Sequence, residues 1–129
     1  MDHYRQLKLA IMPGEFAIHR FAPDAALPEA VLSSGIFSIT RTDEELSIVC
    51  GDNLPLGSPQ CEAGWSCIKV IGPLDFSLTG ILAHLAGLLA ENGISLFALS
   101  TFDTDYLLVK TDQLAAAVIA LKAGGHRFT

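Results

Sequence analysis

Positive charge is what the sequence has least of: 8 lysines and arginines stand against 14 aspartates and glutamates, for a formal net charge of −6. The few basic residues are scattered along the chain. That argues against nucleic acid or an anionic membrane as partner, because both need a basic footprint. Cysteine is scarce and odd in number. Cys50, Cys61 and Cys67 fall in no C-x-x-C or related metal-ligand spacing, so they read as buried free thiols. Long apolar runs are missing too: the best candidate, Ile81 to Ala90, is interrupted by His84, followed by Glu91, and well short of the roughly 20 residues a spanning helix requires. The opening MDHYRQLKLAIM places Asp2 and His3 first and has no small-residue cleavage site, so it does not read as a secretory signal. The expectation is a soluble, cytoplasmic protein whose partners are small molecules or other proteins.

Catalytic signatures are equally scarce. The chain contains no G-x-S-x-G elbow, no H-E-x-x-H and no G-x-x-x-x-G-K-[ST]. Nothing near Cys50 in sequence activates a thiol. No second histidine, cysteine or carboxylate is spaced to join His84 as a metal ligand, so it reads as a core-edge or exposed residue. His19 alternates within an apolar stretch and reads as exposed, whereas Trp65 and Phe97 read as core. The reading is therefore non-enzymatic, with no metal and no cofactor.

What is present is apolar residue, half of the 129, enough for a real core. There is also an internal echo. FSITRTDEELSIV (residues 37–49) lies over FALSTFDTDYLLV (residues 97–109) at an offset of 60, which sets Phe37 on Phe97, Asp43 on Asp103 and Glu45 on Asp105. LKLA from Leu7 resembles IKVI from Ile68 at an offset of 61. Two matches at nearly one spacing imply a duplicated unit of about sixty residues, here divided as 1–63 and 64–129.

The second unit is the clearer. Residues 65–72 read as a strand, and a helix follows from Thr79 to Asn92 with Ile81, Leu82, Leu85, Leu88 and Leu89 on one stripe and Gly93 as its stop. Strands over 94–101 and 106–110 flank an acidic turn. A helix over 112–123 and a short strand over 126–129 complete it. The order β-α-β-β-α-β is the split, ferredoxin-like plan. The first unit is irregular: Glu15 to Phe21 reads as a strand, Leu27 to Ser34 leaves room only for a short helix, and LPLGSPQ puts Pro55, Gly57 and Pro59 where a second helix is due. Gly51 to Gly64 is taken as the link.

These residues resemble a known family. GPLDFSLTGILA (72–83), the helix ending in Asn-Gly, and GISLFALSTFDTDYLLV (93–109) are similar to the ACT domain, in the tandem-ACT subgroup that includes the CASTOR-type arginine sensors, with a weaker similarity to aspartate kinase regulatory regions. The resemblance implies an α+β fold of two tandem ferredoxin-like, ACT-type units forming a pseudo-dimer, the first one irregular. It implies a regulatory or sensor protein that binds an amino acid or a similar zwitterionic metabolite, pairs as a homodimer and acts on a regulated enzyme or protein partner. The alternative is an interaction module that pairs through its sheets around a vestigial pocket.

The resemblance places the ligand between two segments. One is Asp75, Leu78, Thr79, Gly80, Ile81 and Leu82; the other is Ser100, Thr101, Asp103 and Asp105. The residue chemistry agrees. Helix-start N–H groups near Leu78 to Ile81 suit a carboxylate, and Gly80 permits close approach to the backbone. Asp103 or Asp105 suits an ammonium. Asp103 and Thr104 are also common turn formers and serve equally well to close the hairpin. The arginine sensors carry an acidic residue where Leu78 aligns and another at the place of Asp105, so this chain keeps one of two and the resemblance does not carry arginine over.

Overall fold

The computed structural model describes residues 6–72 and 80–129. The fold is α+β, and the chain divides into two compact units, Gly14–Trp65 and Met1–Pro13 with Ser66–Thr129.

The unit Gly14–Trp65 contains β2 (Phe16–Phe21), the short helix α1 (Glu29–Leu32), β3 (Ser38–Arg41), β4 (Leu46–Gly51) and the first half of β5 (Gln60–Val70). Its strand order, β3-β4-β2-β5, is antiparallel throughout. The unit's first strand thus lies between its third and its fourth, as the ferredoxin-like plan requires. Pro55 and Pro59 bar a second helix, since proline removes a helical donor and crowds the preceding turn. Leu54 and Leu56 of that loop instead pack on the core of Val31, Leu46, Ile48 and Cys50. Opposite Ala17, β5 carries one extra residue, because the register shifts between Phe16↔Trp65 and Ile18↔Glu62. Gly64, at φ +82°, takes the left-handed conformation such a bulge demands.

The other unit contains β1 (Lys8–Ile11), the second half of β5, α2 (Ile81–Ala90), β6 (Phe97–Ser100), β7 (Asp105–Lys110), a 3-10 turn (Thr111–Gln113) leading into α3 (Leu114–Ala123), and β8 (Arg127–Phe128). The strand order is β6-β7-β5-β1-β8. In the plain split plan β8 would lie beside β5. Here β1 takes that slot, antiparallel to β5 through Leu9↔Val70 and parallel to β8 through Leu9↔Phe128. Leu9, Ile68, Val70, Leu85, Leu89, Leu107, Val109 and Leu121 form the buried centre of this unit, with α2 and α3 supplying the helical part.

Several expectations from the sequence are corrected. Residues 1–63 do not stay together, because β1 belongs with the second unit, and its resemblance to Ile68–Ile71 pairs two neighbouring strands and not two counterparts. The proposed link from Gly51 to Gly64 shortens, since β5 already begins at Gln60. Cys61 is exposed, whereas Cys50 and Cys67 are buried, where desolvation raises both thiols and lifts Cys67 to about 11.

The repeat is real in form but its offset is 59. Arg41 faces Leu46 across one hairpin and Ser100 faces Asp105 across the other, so Thr42–Glu45 and Thr101–Thr104 are equivalent turns. In each the threonine N–H donates to the fourth residue's carbonyl, at 2.9 Å for Thr42 and 2.8 Å for Thr101. The threonine hydroxyl in each accepts that fourth residue's N–H, at 3.1 and 3.2 Å. The slip of one arises because Ile48-Val49-Cys50 and Leu107-Leu108-Val109 are each buried at three successive positions, which erases the alternation that fixes register. Asp103 therefore matches Glu44, and Asp105 matches Leu46.

His19 is likewise buried, at 5% exposure, under the loop that replaces the second helix. Ser58 Oγ donates to the Gln60 carbonyl at 3.0 Å, so it accepts from His19 Nδ1–H at 2.8 Å. That leaves Nε2 bare, buried and without a partner among the described residues. A proton there would meet no acceptor, and burial holds the His19 pKa below the ordinary 6.5. Because the unfolded chain then binds the proton more readily, this contribution to stability is complete above pH 6.5 and is lost as the pH falls below it. Urea unfolding from pH 8 to pH 5 is expected to show a falling midpoint, and His19→Asn, which keeps a donor toward Ser58 but does not titrate, is expected to flatten the slope.

Candidate functional site

The turn between β6 and β7 is built by its threonines. Thr101 Oγ1 donates to the Thr104 carbonyl at 3.1 Å and accepts the Thr104 N–H at 3.2 Å. Thr104 is buried, and its hydroxyl donates to the Val70 carbonyl. That bond seats the turn against the end of β5, just ahead of residues 73–79. Sequence reasoning treated Thr104 only as a possible turn former. Its signal was a hydroxyl at the fourth turn position, where Glu45 stands in the other unit.

The sequence-predicted residues fall into three groups. Asp75, Leu78 and Thr79 lie outside the described residues. Ser100, Thr101, Asp103 and Asp105 are brought together on the turn, where Ser100 Oγ donates to Asp105 Oδ1 at 2.7 Å. Asp103 is exposed and makes no hydrogen bond to the described residues, so the hydroxyls close the hairpin and Asp103 does not. Phe102, beside it, is 81% exposed.

At the start of α2, Gly80 is the N-cap, at φ +82° and ψ 5°, and its carbonyl accepts the His84 N–H at 2.8 Å. A side chain is disfavoured in that left-handed conformation by roughly 1–2 kcal/mol. The Ile81 side chain is committed to the core, with Leu82 packed against the same cluster, so what Ile81 presents at the helix start is main chain.

The matching corner of the Gly14–Trp65 unit is closed by its own chain. Arg41, the counterpart of Ser100 at the 59-residue offset, donates through its two terminal guanidinium nitrogens to the carbonyls of Pro23 and Ala25, in the loop that follows β2. In the other unit the short Ser100 hydroxyl stands at that place and turns to Asp105.

No helix of the described residues is long and apolar enough to cross a membrane. Among those residues no group of three or more histidines, cysteines or carboxylates is arranged to hold a metal ion.

Comparison with known proteins agrees with this architecture. The sequence model of the ACT domain matches residues 60–123, and a second family model, of an N-terminal domain, matches residues 14–55. The mouse "Cytosolic arginine sensor for mTORC1 subunit 1" is 35% identical over 92 residues, which make up 70% of this chain and 27% of that protein. The chain thus spans about a quarter of the length of that relative. A crystal structure of an Agobacterium tumefaciens protein superposes with a TM-score of 0.90 at 39% identity, over 98% of this chain and 94% of that one. The ligand-free regulatory subunit of aspartate kinase from Thermus thermophilus shares the fold, with a TM-score of 0.63 at 10% identity over 89% of this chain and 95% of that one. Through residues 60–123, with β5, both helices and the threonine-closed hairpin in place, the chain belongs to the ACT domain family.

Proposed function

We propose that this chain is an amino-acid-binding regulatory module with no catalysis of its own. Its ligand is a small zwitterion held between the Ser100–Asp105 turn and the start of α2; Asp75, Leu78 and Thr79, which the resemblance also assigns to the ligand, lie outside the described residues. The observation that carries the reading is the Thr104 hydroxyl on the Val70 carbonyl, which ties the acidic turn to the strand end from which the chain proceeds to the Gly80 cap. An ammonium group suits Asp105, and a carboxylate suits main-chain N–H groups at the start of α2. The Arg41 closure of the other unit favours one site per chain. The similarity to a cytosolic arginine sensor supports amino acid as the ligand class, the cytoplasm as the compartment, and an output through a regulated enzyme or protein partner.

We also infer a homodimer formed through the helices. Helix α2 reads ILAHLAGLLA, with no charged residue, and α3 carries only Lys122. Ile119 is 68% exposed, beside exposed Ala115, Ala116 and Ala123. A second copy of this chain is the proposed cover, since a two-fold pairing would bring the same apolar strip of α3 against itself.

A thermal-shift panel of the common amino acids tests the ligand. A binder at a hundred times its Kd is expected to stabilise the chain by about 2.7 kcal/mol, and a flat panel would overturn the reading in favour of a pure interaction module. With the identified binder, Asp105→Asn is expected to weaken calorimetric affinity about ten- to a hundredfold, the loss of roughly 1.5–3 kcal/mol from one charge-assisted bond, whereas Asp103→Asn changes it little. Equal small effects would reduce the cluster to a solvated hairpin. For the assembly, sedimentation at micromolar concentration is expected to give a dimer that Ile119→Glu converts to monomer.

A further inference from the structure

His126 precedes β8, is only 4% exposed, and has both ring nitrogens engaged. The Leu7 N–H donates to its Nδ1 at 3.1 Å, so Nδ1 carries no proton. Its Nε2 lies 2.8 Å from Nε2 of His84 on α2, with the ring centroids 5.0 Å apart and the planes at 75°. A hydrogen bond between two ring nitrogens holds one proton. An uncharged His126 with a bare Nδ1 must carry that proton on Nε2, so His126 donates, His84 accepts, and the His84 proton sits on Nδ1.

The result is a directed chain. It runs from the Leu7 amide through His126 to His84, whose own amide donates to the carbonyl of Gly80, the N-cap of α2. At its other end Leu7 and Leu9 accept N–H bonds from Arg127 and Thr129, at 3.1 and 2.9 Å, which hold β1 against β8. Among the described residues, the charged side chains of the elements that pack there are Lys8, Glu91, Lys122 and Arg127, all exposed, and Lys69, whose Nζ lies 6.0 Å from the Tyr106 ring centroid.

We propose that the His84–His126 pair is a proton-gated coupler between the N-terminal strand β1 and the start of α2. One added proton has two places to go, and each removes an acceptor. On His126 Nδ1 it displaces the Leu7 amide. On His84 Nε2 it turns that nitrogen into a donor, so His126 Nε2 must accept and the His126 proton moves to Nδ1, which again displaces the Leu7 amide. Either way β1 loosens in its slot between β5 and β8 while the rest of the core stays packed. The device responds to one proton beyond the two that the pair already holds, and it works in the unliganded chain.

Long-range 15N NMR of the full chain at pH 7.5 tests the proton assignment. His126 is expected as the Nε2–H tautomer and His84 as the Nδ1–H tautomer. A proton on His126 Nδ1, or a charged ring at that pH, would overturn the proposal. Amide exchange corrected for the intrinsic rate is expected to lose about tenfold protection over Leu7–Ile11 between pH 7.5 and pH 5.5, more than over the Leu107–Val109 core. Protection that does not change with pH would overturn it too. His84→Gln offers an amide oxygen to His126 and is expected to keep β1 protected at pH 7.5. His84→Lys offers only donors and is expected to show the acid pattern at every pH; full protection in that variant would sink the coupler.

Discussion

The larger unit depends on how the backbone of β5 is satisfied. A strand in the middle of a sheet needs hydrogen bonds along its length, because an unpaired buried N–H or C=O costs free energy comparable to a lost hydrogen bond. In the plain ferredoxin-like plan the last strand would supply part of that pairing, but β8 is two residues long. Strand β1 does it instead, in a ladder bounded by Ile71 N–H to the Lys8 carbonyl at 2.9 Å and Met12 N–H to the Cys67 carbonyl at 2.8 Å. Once β1 is there, Leu9 fills the core beside Ile68 and Val70, and β8 has a strand to pair with. Chain end and chain start are therefore interdependent, and His126 lies at their junction with α2.

The same economy of hydrogen bonds explains the two hairpins. Each closes with a threonine that bonds the fourth turn residue through both main chain and hydroxyl, which satisfies the turn without glycine. The difference lies in what each hairpin leans on. Thr104 carries a second hydroxyl that anchors its turn to the end of β5 and leaves Asp105 with Ser100. In the other unit Glu45 occupies the Thr104 position, and a guanidinium four residues earlier, at Arg41, holds the neighbouring loop. Two copies of one device thus serve different ends, a presented carboxylate in one and a closed corner in the other.

Much of this was legible residue by residue. The apolar stripe of Ile81, Leu85 and Leu89 marked α2, and the proline spacing at Pro55 and Pro59 marked the missing helix, because both are local effects of periodicity and backbone sterics. The candidate site was half legible: the acidic turn was visible, but Thr104 was not distinguished from Thr101, since only the packed strand end reveals that one of two similar hydroxyls is buried. His19 was misread as exposed for a related reason. Alternation gives two faces, and the face covered by Leu54 and Leu56 is chosen by a loop that has no periodicity of its own.

The sequence by itself determined the element types, the ferredoxin-like order of the second unit, the short first helix and missing second helix of the first unit, and the acidic turn between two apolar strands. These follow from interactions among residues close in the chain, whose spacing is written in the sequence. Only the tertiary structure decided that Lys8–Ile11 leaves the first unit for a slot between β5 and β8, that the repeat runs at 59 and not 60, and that His84 meets His126. Strand pairing and side-chain meeting across 42 or 119 residues depend on which edge is open when the core closes. An apolar strand of four residues reads the same whichever edge it fills.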